Sequence, residues 1–366
     1  MKRQAEGHRN ATERLDAMSP QLLKAANMSP VQVHEFQRRA MRYKHILQAS
    51  NHMEQRNHSN AKEFIFQGYP SSQNVQLALF IVLLHVYMLT IVSNILIILL
   101  VRADSQLHTP MYYFLSHFSF VEICYTSTTA PKILVDLLRK HKTISVAGCL
   151  AQFYFFMSFG GTEDFLLTVM ALDRYLAICR PLHYSTMMSH TVCKQLAAIS
   201  YICSFIVILF PVIWMSMLSF CFPNGINHFF CDFAPLLKLS CTDASISGLT
   251  FTVIACVVIF FCSFMILISY TFIIITILKI PSTIGRQRAF STCGSHLMVV
   301  IVFYGTLMFI YVRPTGRDSF SFDKVVSAFY AVIVPLLNPL IYSLRNKEMK
   351  HATHRALHLL MRLWKQ

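Results

Sequence analysis

Charge is what this sequence has least of. Only 13% of its 366 residues are Asp, Glu, Lys or Arg, against 55% hydrophobic, about half the charged share of an average soluble domain. So little charge cannot clothe a water-exposed surface of this size, and lipid is the expected solvent. Acids are the scarcer sign: 17 Asp and Glu stand against 32 Lys and Arg, a formal net charge of +15. The basic residues are spread over loops and tails, with no patch interleaved with aromatics, which argues for a topology signal facing anionic lipid over nucleic-acid binding. Enzyme signatures are missing as well. The chain has no phosphate loop, no His-Glu-x-x-His spacing and no nucleophile elbow, so no enzyme is expected. Inverted repeats and paired broken helices, marks of many transporters, are also lacking.

Long apolar runs are plentiful. A bilayer core of about 30 Å takes roughly 20 apolar residues per helix. Leu77–Val101 crosses without one charged residue, and six further spans are expected at Pro110–Leu138, Cys149–Asp173, Gln195–Ser219, Ser247–Lys279, Ala289–Val312 and Phe322–Leu344. An odd number puts the termini on opposite sides. With the C-terminus cytoplasmic, the inner segments hold Arg102, Arg174, Arg180, Lys194, Lys279, Arg286, Arg288 and a basic tail, while the outer loops hold about seven basic residues, including Arg139, Lys140 and Lys142. The expected fold is therefore an all-α membrane protein: a seven-transmembrane helix bundle over residues 77–344, N-terminus outside. From Arg345 on, Ala352, Ala356, Leu357, Leu360 and Trp364 recur near helical spacing against Lys350, His354, Arg355, His358 and Arg362. That pattern predicts a short amphipathic helix on the inner leaflet over residues 345–366.

The region before the first span divides in two. Residues 1–52 carry nine basic and four acidic side chains, an awkward load to translocate, and no apolar core of a secretory signal follows Lys2 and Arg3. They are expected to form a basic, disordered extension, with a basic helix open over residues 31–49. Met53 offers an alternative start that opens a short extracellular tail, residues 53–76, bearing an N-glycosylation sequon at Asn57; sequons at Asn10 and Asn27 are weaker candidates.

The strongest motif closes the third span: Met170-Ala171-Leu172-Asp173-Arg174-Tyr175-Leu176-Ala177-Ile178-Cys179-Arg180-Pro181-Leu182-His183-Tyr184. An acid and an arginine side by side at the membrane edge can pair with each other or release the arginine to a partner. Four more segments accompany it: Leu107-His108-Thr109-Pro110-Met111-Tyr112, Ser269-Tyr270, Arg288-Ala289-Phe290-Ser291-Thr292-Cys293-Gly294-Ser295-His296-Leu297, and Pro335-Leu336-Leu337-Asn338-Pro339-Leu340-Ile341-Tyr342. Together they resemble the olfactory (odorant) receptors within the rhodopsin-like G-protein-coupled receptors, over about Glu54 to Lys350. Leu172, where that family usually has Tyr, and Asp164, a second acid beside Glu163, depart from the pattern.

The resemblance implies roles for particular residues. Asp173, Arg174, Tyr175, Tyr270, Asn338, Pro339 and Tyr342 become the activation and coupling machinery, with Pro339 supplying a hinge in the seventh span. Asn94, Glu122, Glu163 and Asn338 become an intramembrane polar core that holds protons or a sodium ion. A plainer alternative stands beside it, in which the acids stay protonated and hydrogen-bond between helices. Mapping by resemblance nominates Phe156, Met157, Gly160, Ile254, Val258, Tyr304, Met308 and Tyr311 for an apolar ligand pocket; each also fits ordinary helix packing. Phe156 stands where amine receptors carry an Asp, so the pocket lacks an evident ionic anchor and a small neutral, apolar, volatile ligand is expected.

Cys149, Cys221, Cys231 and Cys241 fall on the outer side, where disulfides form. Spacing does not fix their connectivity; the resemblance implies Cys149–Cys231 and Cys221–Cys241. His228 and Cys231 also have metal-ligand chemistry, but a disulfide at Cys231 would remove that ligand, and no metal is expected. The implied mechanism is an odorant shifting the bundle toward an active state, in which the sixth helix moves outward and Arg174, Tyr270 and Tyr342 open a groove for a heterotrimeric stimulatory G protein that raises cyclic AMP. Plasma-membrane localisation follows. The alternative is a chemosensory receptor of the same class acting outside the olfactory epithelium, which the site of expression would decide.

Overall fold

The computed structural model of the chain describes residues 62–311, 327 and 329–363. The chain divides into two units, the second of which spans Ala61–Phe220 and Asn224–Gln366. The second is a helical bundle. Its long helices are α1 (Gln73–Ala103), α2 (Pro110–Leu138), α3 (Val146–Cys179), α4 (His190–Ser216), α5 (Ser245–Leu278) and α6 (Thr283–Tyr311). A π-helical turn, Phe329–Ile333, then leads into α7 (Val334–Arg345), and α8 (Lys347–Leu363) follows.

These helices form where the apolar runs lie, but they overrun them. α3 starts at Val146, ahead of the expected Cys149, because the Ser145 side chain accepts the Gly148 N–H and caps the helix. Ser189 caps α4 in the same way, accepting from Val192, and carries that helix back to His190. By length and composition α1, α3, α4 and α5 can each cross a membrane. The second helix is less apolar, carrying Glu122, Lys132 and Asp136. Bilayer-spanning helices satisfy their backbone groups internally and can leave apolar side chains outward. Leu89 and Val92 of α1 and Phe260 and Phe264 of α5 are exposed on that account.

The third helix is central, packing against α2, α4, α5 and α6. One buried cluster gathers Phe114, Phe118, Leu166, Leu167, Met170, Ile266, Tyr270 and Tyr342 around its later half. Another surrounds its start and includes Phe64, Phe66, Cys149, Phe153, Phe220 and Cys231. Over that second cluster lies a small sheet in the order β2-β1-β3: β1 (Glu63–Phe66) runs antiparallel to β2 (Thr143–Ser145), with Phe64 opposite Ile144, and parallel to β3 (Gly225–Ile226). Gly68 follows directly. A Cβ there would lie 2.6 Å from the His228 carbonyl carbon, so only glycine lets the two backbones approach.

Candidate functional site

Two polar constellations and a cavity lie within the bundle. The first is built on the Asp-Arg-Tyr stretch at the end of α3. Arg174 turns back on its neighbour, its Nε and Nη2 donating to Asp173 Oδ2 at 3.0 and 2.7 Å. Tyr184, in the single helical turn Tyr184–Met187, donates to Asp173 Oδ1 at 2.8 Å. Both carboxylate oxygens are thus occupied and Asp173 is wholly buried. Tyr175 faces Phe272 of α5, with ring centroids 5.9 Å apart. Tyr270 is joined to His296 Nδ1 of α6 at 2.6 Å. The buried Tyr342 hydroxyl has no hydrogen-bond partner among the described residues. Among the described contacts Arg174, Tyr270 and Tyr342 share no hydrogen bond with one another, although Tyr270 and Tyr342 belong to one buried cluster.

The second constellation sits deeper. Asn338 of α7 donates to Glu122 Oε1 of α2, and both residues are fully buried. Glu122 Oε2, Asn338 Oδ1 and Glu163 Oε1 have no partner among the described residues. Asn94 is likewise fully buried with its Oδ1 unpartnered among the described residues, while its amide donates to Thr90 O on its own helix at 3.0 Å. Uncompensated charge at such depth costs several kcal/mol, so a bare carboxylate at Glu122 or Glu163 would be expensive. Pro339 follows Asn338 inside α7 and removes a helical N–H there.

The cavity has a volume of about 260 Å³. Of the residues nominated for a pocket, Phe156, Met157, Gly160, Ile254 and Val258 line it. Tyr304 is not among the lining residues but donates to Asp164, which is. The side chains of Met308 and Tyr311, and Asn57 with its sequon, lie outside the described residues. The expectation that the pocket has no ionic anchor needs correction, because Glu163, Asp164 and Asp232 all contribute to its wall. Position explains the miss: Asp164 is four residues beyond Gly160 and shares its helical face, whereas the sequence argument looked only at the level of Phe156. Asp232 comes from the loop after α4, where it accepts the Phe233 N–H and the Tyr330 hydroxyl.

That loop is anchored covalently. Cys149 and Cys231 form a disulfide, and Cys221 and Cys241 are also disulfide-bonded. The Cys231 sulfur is therefore spoken for and offers no thiolate beside His228. Its backbone N–H donates to Gln152 Oε1 of α3 at 3.0 Å.

A model of the olfactory receptor family matches residues 83–359, from early in α1 to late in α8. The chain belongs to the olfactory receptor family. The receptor is 48% identical over 301 residues to olfactory receptor 8U3 of Mus musculus, covering 82% of this chain and 94% of that one. It is 49% identical to Homo sapiens olfactory receptor 6N1, over 83% and 98%, and 52% identical to Mus musculus olfactory receptor 5P60, over 82% and 94%. Membership places the receptor among multi-pass plasma-membrane receptors of the G-protein-coupled class, and not in an enzyme family.

Several contacts escaped the sequence reading. His296 and Tyr184 lie inside the quoted motifs, yet their partners, Tyr270 and Asp173, are fixed by helix packing that no single motif specifies. The start of α8 is another case: Tyr112 Oη lies 2.8 Å from Glu348 Oε2 and 3.0 Å from Asn346 Oδ1. Asn346 Oδ1 in turn accepts the Glu348 and Met349 N–H groups, an N-cap that sets where α8 begins.

Proposed function

We propose that this receptor binds a small, largely apolar odorant in the cavity between α3, α5 and α6 and passes the event to a stimulatory G protein, raising cyclic AMP. The N-terminus is outside and the C-terminus cytoplasmic. The observation that carries the proposal is the Asp173–Arg174 pair, buttressed by Tyr184, on the same helix whose earlier turns line the cavity. A ligand can shift an equilibrium only by binding one state better. In the resting state Arg174 is held by Asp173 and Tyr270 by His296. In the active state α6 moves outward, Arg174 leaves Asp173, and Arg174, Tyr270 and Tyr342 line the groove that takes the G-protein helix. Tyr175 supports that groove against α5, and Pro339 lets α7 flex.

Glu122, Glu163 and Asn338 hold a proton or a sodium ion between these two regions. The unpartnered oxygens of Glu122, Glu163 and Asn338 fit hard, oxygen-seeking ligation. Such an ion would supply the positive charge that buried carboxylates need. Asn57 carries the glycan of the extracellular tail.

The test expresses the chain from Met1 and separately from Met53, with Arg174→Ala in each, and records cyclic AMP against neutral volatile molecules. A dose-dependent rise that Arg174→Ala abolishes at equal surface level is expected. A normal response from Arg174→Ala would overturn coupling through α3.

A further inference from the structure

The cavity is apolar over most of its wall and carries three carboxyls, of which Asp232 already accepts from the Phe233 N–H and the Tyr330 hydroxyl. Val207, Ile208, Ile254, Ala255, Val258 and Ile259 are among its apolar residues, whereas Glu163 and Asp164, consecutive on α3, bring two carboxyl groups to it. Each acid is 3% exposed. Among the described residues, none that lines the cavity is Lys, Arg or His. Glu163 Oε1 has no hydrogen-bond partner among the described residues. Asp164 Oδ1 accepts from the Tyr304 hydroxyl of α6, and Cys262 of α5 also hydrogen-bonds the carboxyl. A buried acceptor without a donor loses its hydration for nothing, and the deficit is removed by any ligand that brings the donor.

We propose that the cavity selects ligands whose apolar body ends in an O–H or N–H donor, accepted by Asp164 beside Glu163, and that this donor displaces the Tyr304 hydroxyl from Asp164. The proposal rests on the cavity being the ligand site and is independent of G-protein coupling. It joins recognition to motion. Asp164 is on α3 and Tyr304 on α6, so a ligand that takes over the carboxyl group releases a hydrogen bond between the two helices that the activation scheme separates. Ligands that only accept, such as aldehydes and ethers, bring no donor to the Asp164 oxygen that the Tyr304 hydroxyl occupies and leave that bond in place. A site built around a donor discriminates strongly against analogues lacking it, because its own polar groups are then left unpaired.

The test is binding to the purified full-length receptor in detergent, followed by thermal unfolding over a concentration series of octanol, octylamine, octanal and heptyl methyl ether. The alcohol and the amine are expected to bind at least about tenfold more tightly than the aldehyde and the ether. Asp164→Ala should reduce that preference to about threefold or less, and Tyr304→Phe, which removes the competing hydroxyl while keeping the ring, should tighten the alcohol several-fold. Equal binding of all four compounds to the unaltered receptor, or a preference that survives Asp164→Ala intact, overturns the donor rule while leaving the cavity as the ligand site. An alcohol affinity unmoved by Tyr304→Phe overturns the displacement. If none of the four changes the unfolding midpoint, the cavity is not the ligand site, and both proposals fall.

Discussion

The two ends of the bundle are fastened by different chemistry. Where α3 begins, the fastening is a disulfide, three short strands and a cluster of buried aromatics. Where α3 ends, it is a set of ion pairs and hydrogen bonds: Asp173 with Arg174 and Tyr184, Tyr270 with His296, and Asp104 with Arg355. A covalent loop does not open on the timescale of signalling, whereas charged and hydroxyl groups exchange partners readily. One end is a covalent frame around the cavity, and the other, on the proposed function, is a latch.

Breaking the frame should have the largest effect. Loss of a native disulfide costs about 2–5 kcal/mol, often enough to prevent folding. Cys231→Ser is therefore expected to remove most of the receptor from the cell surface, as read by surface labelling. Wild-type surface levels with an unchanged response would mean that the strands and aromatics hold the frame unaided. Breaking the latch should act differently. Asp173→Asn weakens the grip on Arg174 without emptying the site, and basal cyclic AMP should rise several-fold at equal surface level. Unchanged basal signalling would remove Asp173 from the latch.

The frame and the latch were unequally legible in the sequence. Apolar runs are set by the bilayer, so the spans could be read directly, and α2 starts and stops where expected, at Pro110 and Leu138. Helix ends were less legible, because Ser145 and Ser189 prolong helices by capping, which hydropathy does not register. Of the polar residues, Asp173, Arg174, Glu122 and Asn338 stood out by type and depth, since charge in a span demands a reason. Asp173 with Arg174 and Glu122 with Asn338 were expected together, but other contacts were not: helix packing brings Tyr184 to Asp173, His296 to Tyr270 and Tyr304, nominated only for the pocket, to Asp164. Asp164 was visible as an oddity but not as part of the cavity wall, which depends on how α3 is turned.

Packing within the bundle separates two glycines that look equivalent in sequence. A Cβ on Gly161 would lie 2.4 Å from Ser204 Oγ, itself bonded to Ser158 O at 2.6 Å, whereas a Cβ on Gly305 would meet nothing within 4 Å. Overpacking costs about 1–3 kcal/mol, while Ala in place of Gly within a helix gains up to about 1 kcal/mol. Gly161→Ala should lower the unfolding midpoint of the purified receptor and Gly305→Ala should hold or raise it. A shift of the same sign in both would mean that α3 and α4 are not in close contact at Gly161.

The smallest effect is expected at the outermost clasp of the latch end, where Arg355 of α8 donates through Nε and Nη2 to Asp104 Oδ2 at 2.9 and 2.5 Å. Arg355 is 41% exposed along its side chain, so solvent screens the pair and its worth is at most about 1 kcal/mol. The hydrogen bond from Arg355 holds the Asp104 carboxyl below the usual carboxylate range. A carboxylate with a depressed pKa stabilises the folded state fully above its unfolded value, about 3.9, and that contribution disappears as pH falls through the lowered folded value. Arg355→Ala should therefore lower the unfolding midpoint slightly at neutral pH, with the gap between variant and wild type closing only below about pH 4. A gap that stayed constant to strongly acid pH would assign the effect to the packing of the arginine stem against α1 instead of to the ion pair.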